Sequence, residues 1–373
     1  MPNGLQSEGR NSSQTDNPTL TRTAKTLAVQ LLKWGVPLAI LGYLSVKIYK
    51  DDSFPKFWNS PKQWDLLAAA LGLTLTAVTL TIVRWHWLIR ALGLPFRLRE
   101  ALRLGFLGYL LNFISFGAVG GDLFKAVFVA RDLHGHRAEA VATVVVDRLI
   151  GLFGVFLLAT GSILASGAWV TESSETMRMI YRATFTCTAA GGFAAAALML
   201  LPDSLWHRIE RWLARIPRIG PICERLIAAV RRFRSKVWVM ALALGVTVFA
   251  QWLFAVAFYL VSAGLIENHP SLTAHMIIVP LATIVNVIPL PLNGLGAVEA
   301  AYEFLYRNVP QAIGGVGVGG VGALVSLAYR IVMLVVAFVG VCYYLASRRE
   351  VAEVMHEVEV EAEQGHSLLD PAE

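Results

Sequence analysis

"LGFLGYLLNFISFGAVGGDLFKAVFVAR", residues 104–131, is apolar at both ends and broken in the middle. Crossing a ~30 Å hydrocarbon layer takes about 20 residues of helix, so neither arm can cross alone. Between the arms stand Asn112, Gly117, Gly120, Gly121, Asp122 and Lys125. How the chain accommodates this break decides its fold.

The rest of the sequence supplies the surroundings. The chain has 373 residues, 56% of them hydrophobic and only 16% charged. The apolar residues come in blocks, at 34–49, 64–83, 141–165, 179–201, 237–264 and 322–346. Each is long enough, or nearly so, to span a bilayer; the shortest, 34–49, needs Lys33 and Lys50 to snorkel at its ends. These features predict an all-α polytopic membrane protein.

Basic residues in short loops set the orientation. Segment 202–236 holds nine Arg or Lys against three acids, and 84–103 holds five against Glu100, so both are expected inside. Segment 166–178 carries Glu172, Glu175 and one Arg178, and 265–275 carries Glu267 without a cation; both are expected outside. The four lysines of 47–63 fit an external loop poorly. An odd number of crossings must then separate 84–103 from 166–178, and the block at 141–165 supplies one. Residues 104–131 must leave and return on one side, as a re-entrant hairpin bent at "SFGAVGGD".

The same reasoning makes 276–308 a second re-entrant hairpin, bent at "IPLPLNGLG" with Pro289 and Pro291 at the turn. Irregular backbone at membrane depth must be wrapped by protein or face a wet cavity, because unpaired amides in lipid cost several kcal/mol each. The expected order is therefore span, span, hairpin, span, repeated with opposite orientation: six spans and two hairpins as an inverted repeat. Such repeats, with broken helices near the midplane, are common in secondary transporters. The halves fall at about 27–170 and 175–347. Residues 1–26 and 348–373 form a polar tail and an acidic tail, both expected in the cytoplasm. The basic, tryptophan-bearing segment 203–236 reads as interfacial helices on an anionic leaflet.

An ionisable group at the bilayer centre costs about 2.5–3.5 kcal/mol on insertion scales, so those retained usually have partners. The candidates are Asp122, Lys125, Asp147, Arg148, Glu299, Glu303 and Arg330. Asp147 and Arg148 are about 100° apart on a helix and need separate partners. Asp122 follows Gly120-Gly121 and Glu299 follows Gly294 and Gly296, so each reads equally as a helix cap or as a substrate-facing acid. Asn112 reads as a partner for backbone groups at the bend.

Other features exclude other chemistries. The net charge of +6 is gathered at the ends of spans and no nucleic-acid motif accompanies it. Cys187, Cys223 and Cys342 are odd in number and far apart; Cys187 and Cys342 lie in apolar blocks and read as small core residues. "LHGHR" at 133–137 is a weak metal motif, and the glycines of 312–324 lack the lysine of a phosphate loop. No metal, cofactor or catalytic motif is expected, which argues against an enzyme.

With these residues in view, "NFISFGAVGGDLFK", "VVVDRLIGLFG" and "IPLPLNGLGAVEAAYEFL" resemble the transmembrane region of lysylphosphatidylglycerol synthases, a flippase-like membrane family, over about 30–350. Gly120, Gly121, Asp122, Lys125, Asp147, Arg148, Pro291, Gly294, Gly296 and Glu299 match its characteristic positions. Phe116-Gly117 stands where the family has Pro-Gly, Lys125 where arginine is usual, and Asn293-Gly294 where it has Gly-Gly. Lysine is a point donor without arginine's planar fork. The soluble aminoacyl-transferase domain of full-length synthases is not expected here.

The resemblance implies a lipid translocator in the inner cell membrane, acting on an anionic phospholipid or a polyprenyl-linked substrate. Amides at Gly120–Asp122 and Gly294–Glu299 would face a phosphate, with Lys125, Arg148 and Arg330 adding positive charge. One half would rock against the other. The alternatives are a membrane-embedded transferase acting on a lipid-linked substrate and a non-transporting assembly factor.

Overall fold

The computed structural model describes residues 61–114, 117–132, 137–171, 174–200, 231–287, 291–312 and 320–346, together with positions 42, 46, 202, 204, 205 and 208. Most of the block at 34–49, the two tails, most of 203–236 and Pro289 lie outside the described residues. What is described is helical, without strands. Among the described residues, four helices are long and apolar enough to cross a membrane: Trp64–Ala91, Val141–Ser166, Phe233–Leu265 and Gly322–Tyr343. The outer surface is apolar, with Trp64, Phe193, Trp238 and Phe338 all exposed, as a lipid-facing surface requires.

Helix α1, Trp64–Ala91, runs eight residues past the apolar block at 64–83. It stops at Gly93, which adopts φ +80° and donates its N–H to the Arg90 carbonyl at 3.0 Å, a left-handed glycine terminus. Arg84 is therefore a buried helical residue and not part of a cytoplasmic loop. Helix α2, Leu98–Ile114, and helix α3, Gly117–Asp132, form the first hairpin. Along it Arg103 lies over Phe128, Gly108 faces both Gly121 and Lys125, and Asn112 meets Gly121, so the two helices run antiparallel. Gly108 and Gly121 let the helices approach closely: a Cβ on Gly121 would collide with the Gly108 carbonyl.

Helix α4, Arg137–Ser166, follows and ends at Gly167 (φ +70°), then the single turn α5, Ala168–Thr171, and helix α6, Glu175–Leu200. Helix α7, Val237–Leu265, lies antiparallel to α1 along its length: Gln63 donates its N–H to the Gly264 carbonyl at one end, and Arg84 meets Thr247 toward the other. The second hairpin begins with α8, Leu272–Thr283, capped by the Ser271 side chain accepting from the Ala274 N–H. A 3-10 turn at Ile284–Val287 and the short α9, Pro291–Gly294, make its bend, and α10, Ala297–Ala312, returns. His275 in the first turn of α8 bonds Tyr306 in the later half of α10, so this pair is also antiparallel. Helix α11, Gly322–Ala346, closes the bundle.

The bend at α9 packs on both helices of the first hairpin. Two buried apolar clusters flank this junction. One surrounds Phe258, Tyr302 and Tyr306, with Phe258 stacked on Tyr302 at 4.3 Å between ring centres; the other joins α1 to the first hairpin through Ile82, Trp85, Leu104 and Phe124. Cys187 and Cys342 correct the sequence reading. Both are exposed on outer helix faces and are not core residues.

Candidate functional site

Six of the seven ionisable candidates named from the sequence gather into two clusters. In the first, consecutive residues of α4 turn to different neighbours. Asp147 accepts from the Arg84 Nε at 2.9 Å, and the same guanidinium donates through Nη1 to the Thr247 hydroxyl at 2.7 Å and through Nη2 to the Asp147 carbonyl at 3.2 Å. Arg148 forms an ion pair with Asp122 on α3. The ~100° helical step between the two residues produces this division. Lys125, one turn beyond Asp122, holds its ammonium 3.7 Å from the Asp122 carboxylate and 5.5 Å from the centre of the Trp85 ring, a cation–π distance. Three cations, Arg84, Lys125 and Arg148, thus stand against two acids, Asp122 and Asp147.

The second cluster lies on the second hairpin and α11. Glu299 is buried and shares its carboxylate: Oε1 accepts from the Arg330 Nε at 2.9 Å and Nη2 at 2.8 Å, while Oε2 accepts from the Gly296 N–H at 2.5 Å. Gly296 is the residue before α10, and its carbonyl takes the first helical bond, from Ala300. A glutamate three positions into a helix that reaches back to the preceding amide is the return half of a capping box. Glu299 therefore caps α10 and pairs with an arginine at once. Arg330 also reaches the Asn293 carbonyl at 3.4 Å, tying α11 to the bend.

Backbone geometry explains the residue types at this bend. Asn293, Gly294 and Gly296 all have positive φ, at 55°, 68° and 90°. Asparagine is among the few residues with a side chain that tolerates this region, so Asn293 can stand where glycine is usual.

Two expectations from the sequence need correction. Helix α3 begins at Gly117, so Asp122 sits in its second turn and is not an N-cap. Of the amides expected to face a phosphate, two are already engaged, Gly121 N–H by the Asn112 Oδ1 at 3.1 Å and Gly296 N–H by Glu299. Positive charge reaches the site through side chains. Pro291 lies in α9, and Gly117 and Gly120 lie within α3.

Two participants were missed, and a third was named without its partners. Arg84 was counted among loop cations, although the helical pattern of "TIVRWHWLIRALG" runs on to a glycine stop and would have placed it inside. Thr247 gave no signal, being one of several threonines in apolar helix. Glu303 was noted as a buried charge without a partner in view. It accepts from the Arg307 Nε at 2.8 Å and from the Gly320 and Ala323 N–H groups, at 2.6 and 3.4 Å, at the start of α11.

Searches among curated proteins and among solved structures return no match. The family model described as the lysylphosphatidylglycerol synthase TM region matches residues 32–340, which includes both charge clusters and both hairpins. The chain is a multi-pass membrane protein and belongs to the lysylphosphatidylglycerol synthase TM region family.

Proposed function

We propose that this protein moves a polar-headed lipid between the leaflets of the inner cell membrane, without chemical conversion of its cargo. The reading takes the two hairpins as re-entrant from opposite leaflets within an inverted repeat of six spans, with both termini cytoplasmic. The observation that carries it is the meeting of the hairpins. The α9 bend, held by Arg330, packs on the hairpin that bears Asp122 and Lys125. Charged groups in apolar helices are costly, and pairing them around the crossing of two broken helices is how transporters build a midplane site.

The cargo on this reading is an anionic phospholipid or a polyprenyl-linked compound. Its phosphate is drawn by Lys125 and Arg148, the cations beside Asp122, while its acyl or prenyl chains stay in the bilayer. Arg330, already neutralised by Glu299, presents a dipole on the opposite wall.

The test is reconstitution of the purified protein into vesicles carrying fluorescent anionic lipid, followed by dithionite quenching. Asp122→Ala and Glu299→Ala are each expected to slow exchange between leaflets by more than tenfold. Either variant exchanging lipid at the wild-type rate would remove its residue from the site. Turnover of a nucleotide-activated donor by the purified protein would replace translocation with a transferase function.

A further inference from the structure

Two neighbouring residues on α4 have opposite surroundings. The Asp147–Arg84 pair is closed off, with side chains 14% and 6% exposed, whereas the Arg148 side chain beside it is 46% exposed. Asp147 faces α1, and Arg148 faces the first hairpin. Arg84 joins three helices through directed bonds, from α1 to Asp147 on α4 and to Thr247 on α7. Gly154 on α4 packs so tightly on α7 that a Cβ there would lie 3.1 Å from the Thr247 Cβ. At the opposite end of the pair, the Gln63 N–H to Gly264 carbonyl bond, 3.0 Å long, fastens α1 to α7 again.

Helix α1 belongs to the first half of the chain and α7 to the second, so these contacts bind the halves together at both ends. A rocking of the halves would have to break a buried arginine network and leave buried charges without their partners, which is costly. The first hairpin meets this assembly differently. Among the described residues its contacts with α1 are mainly apolar, with Lys125 over Trp85 and Glu100 beside His86 as charged exceptions, and its ion pair to α4 is the partly open Asp122–Arg148 pair. A charged ligand can exchange with an open ion pair, and apolar faces can slide.

We infer that α1, α4 and α7 form one fixed frame shared by both halves, and that the first hairpin moves against it. The inference rests on the translocation reading and replaces the rocking of whole halves.

Disulfide trapping tests it. A Cβ on Gly264 would lie 3.4 Å from the Leu66 Cβ, close to the ~3.5–4.5 Å of a disulfide. In a background with Cys187, Cys223 and Cys342 replaced by serine, Leu66→Cys with Gly264→Cys locks α1 to α7. A second lock, Gly154→Cys with Thr247→Cys, serves if the first reduced variant is inactive. A third pair, Ile82→Cys with Gly105→Cys, joins the frame to the first hairpin, since a Cβ on Gly105 would lie within 2.8 Å of three Ile82 side-chain carbons.

The measured quantity is fluorescent-lipid exchange in vesicles, oxidised and then reduced. The frame locks are expected to keep at least half of the parent rate when oxidised. The hairpin lock is expected to lower it more than tenfold and to recover with reductant. A frame lock that stops exchange until it is reduced overturns the inference, as does a hairpin lock that leaves exchange unchanged. A cysteine-free parent that exchanges no lipid removes the translocation reading itself, and the inference with it.

Discussion

Glu299 and Arg330 are joined through one carboxylate oxygen, Oε1, while the other oxygen of Glu299 is committed to the Gly296 amide. A single buried side chain thus fixes the start of α10 and the position of α11 together. Glu299→Ala leaves Arg330 without its acid and is expected to lower stability by about 3–5 kcal/mol. Glu299→Gln keeps an acceptor and is expected to cost about 1–3 kcal/mol. Thermal unfolding in detergent reads the difference; a glutamine variant melting with the parent would mean that the charge contributes nothing.

Arg84 allows a sharper comparison. Arg84→Met strands Asp147 in a buried setting, and the same ~3–5 kcal/mol loss is expected. Arg84→Met with Asp147→Leu removes both charges and is expected to recover most of it, since buried pairs are often replaced by apolar residues at little cost. A double variant as unstable as the single one would show that the Thr247 bond, not the ion pair, holds the node.

Arg148 should separate stability from transport. Its side chain is half exposed, and exposed pairs are worth about 0–1 kcal/mol, so Arg148→Ala should scarcely move the melting temperature. Lipid exchange in vesicles should nonetheless fall more than tenfold. A variant with unchanged exchange would take Arg148 out of the site.

The hairpin crossing is sensitive to a single methyl group. Gly121→Ala puts a Cβ against the Gly108 carbonyl and the Asn112 side chain, and overpacking of this kind costs about 1–3 kcal/mol. Gly72, with nothing within 4 Å of its Cβ position, is the matched control. Gly72→Ala should melt at or above the parent temperature and Gly121→Ala well below it.

At the second bend, Asn293 has φ 55°. Asn293→Gly is expected to be neutral or slightly stabilising, and Asn293→Val to cost about 1–2 kcal/mol, because a β-branched residue is strained in the left-handed region. Denaturation midpoints of the two variants check the sign. A valine variant as stable as the glycine one would mean that the bend relaxes to another backbone conformation.

Much of this was readable from residue types. The broken arms of 104–131 could not cross a bilayer singly, and they fold back on each other as α2 and α3. The adjacency of Asp147 and Arg148 required two partners, and Arg84 and Asp122 are those partners. Helix ends were less legible. Gly120-Gly121 looked like a helix start, but the tertiary contact with Gly108 needs small residues inside the helix, and that contact is invisible to local pattern. Arg84 was assigned to a loop because positive-inside counting treats every terminal cation alike. The outward faces of Cys187 and Cys342 were misjudged because, in a membrane protein, an apolar residue is as well suited to the lipid side as to the core.

Glu303 has a mechanical meaning. By accepting from the first amides of α11 while sitting in the middle of α10, it makes those two helices a jointed lever instead of independent rods. A tilt of the second hairpin is passed on to the last span, so Arg330 travels in step with Glu299. On the proposed translocation their ion pair stays intact during movement, and a passing headgroup meets a neutral, strongly polar wall there.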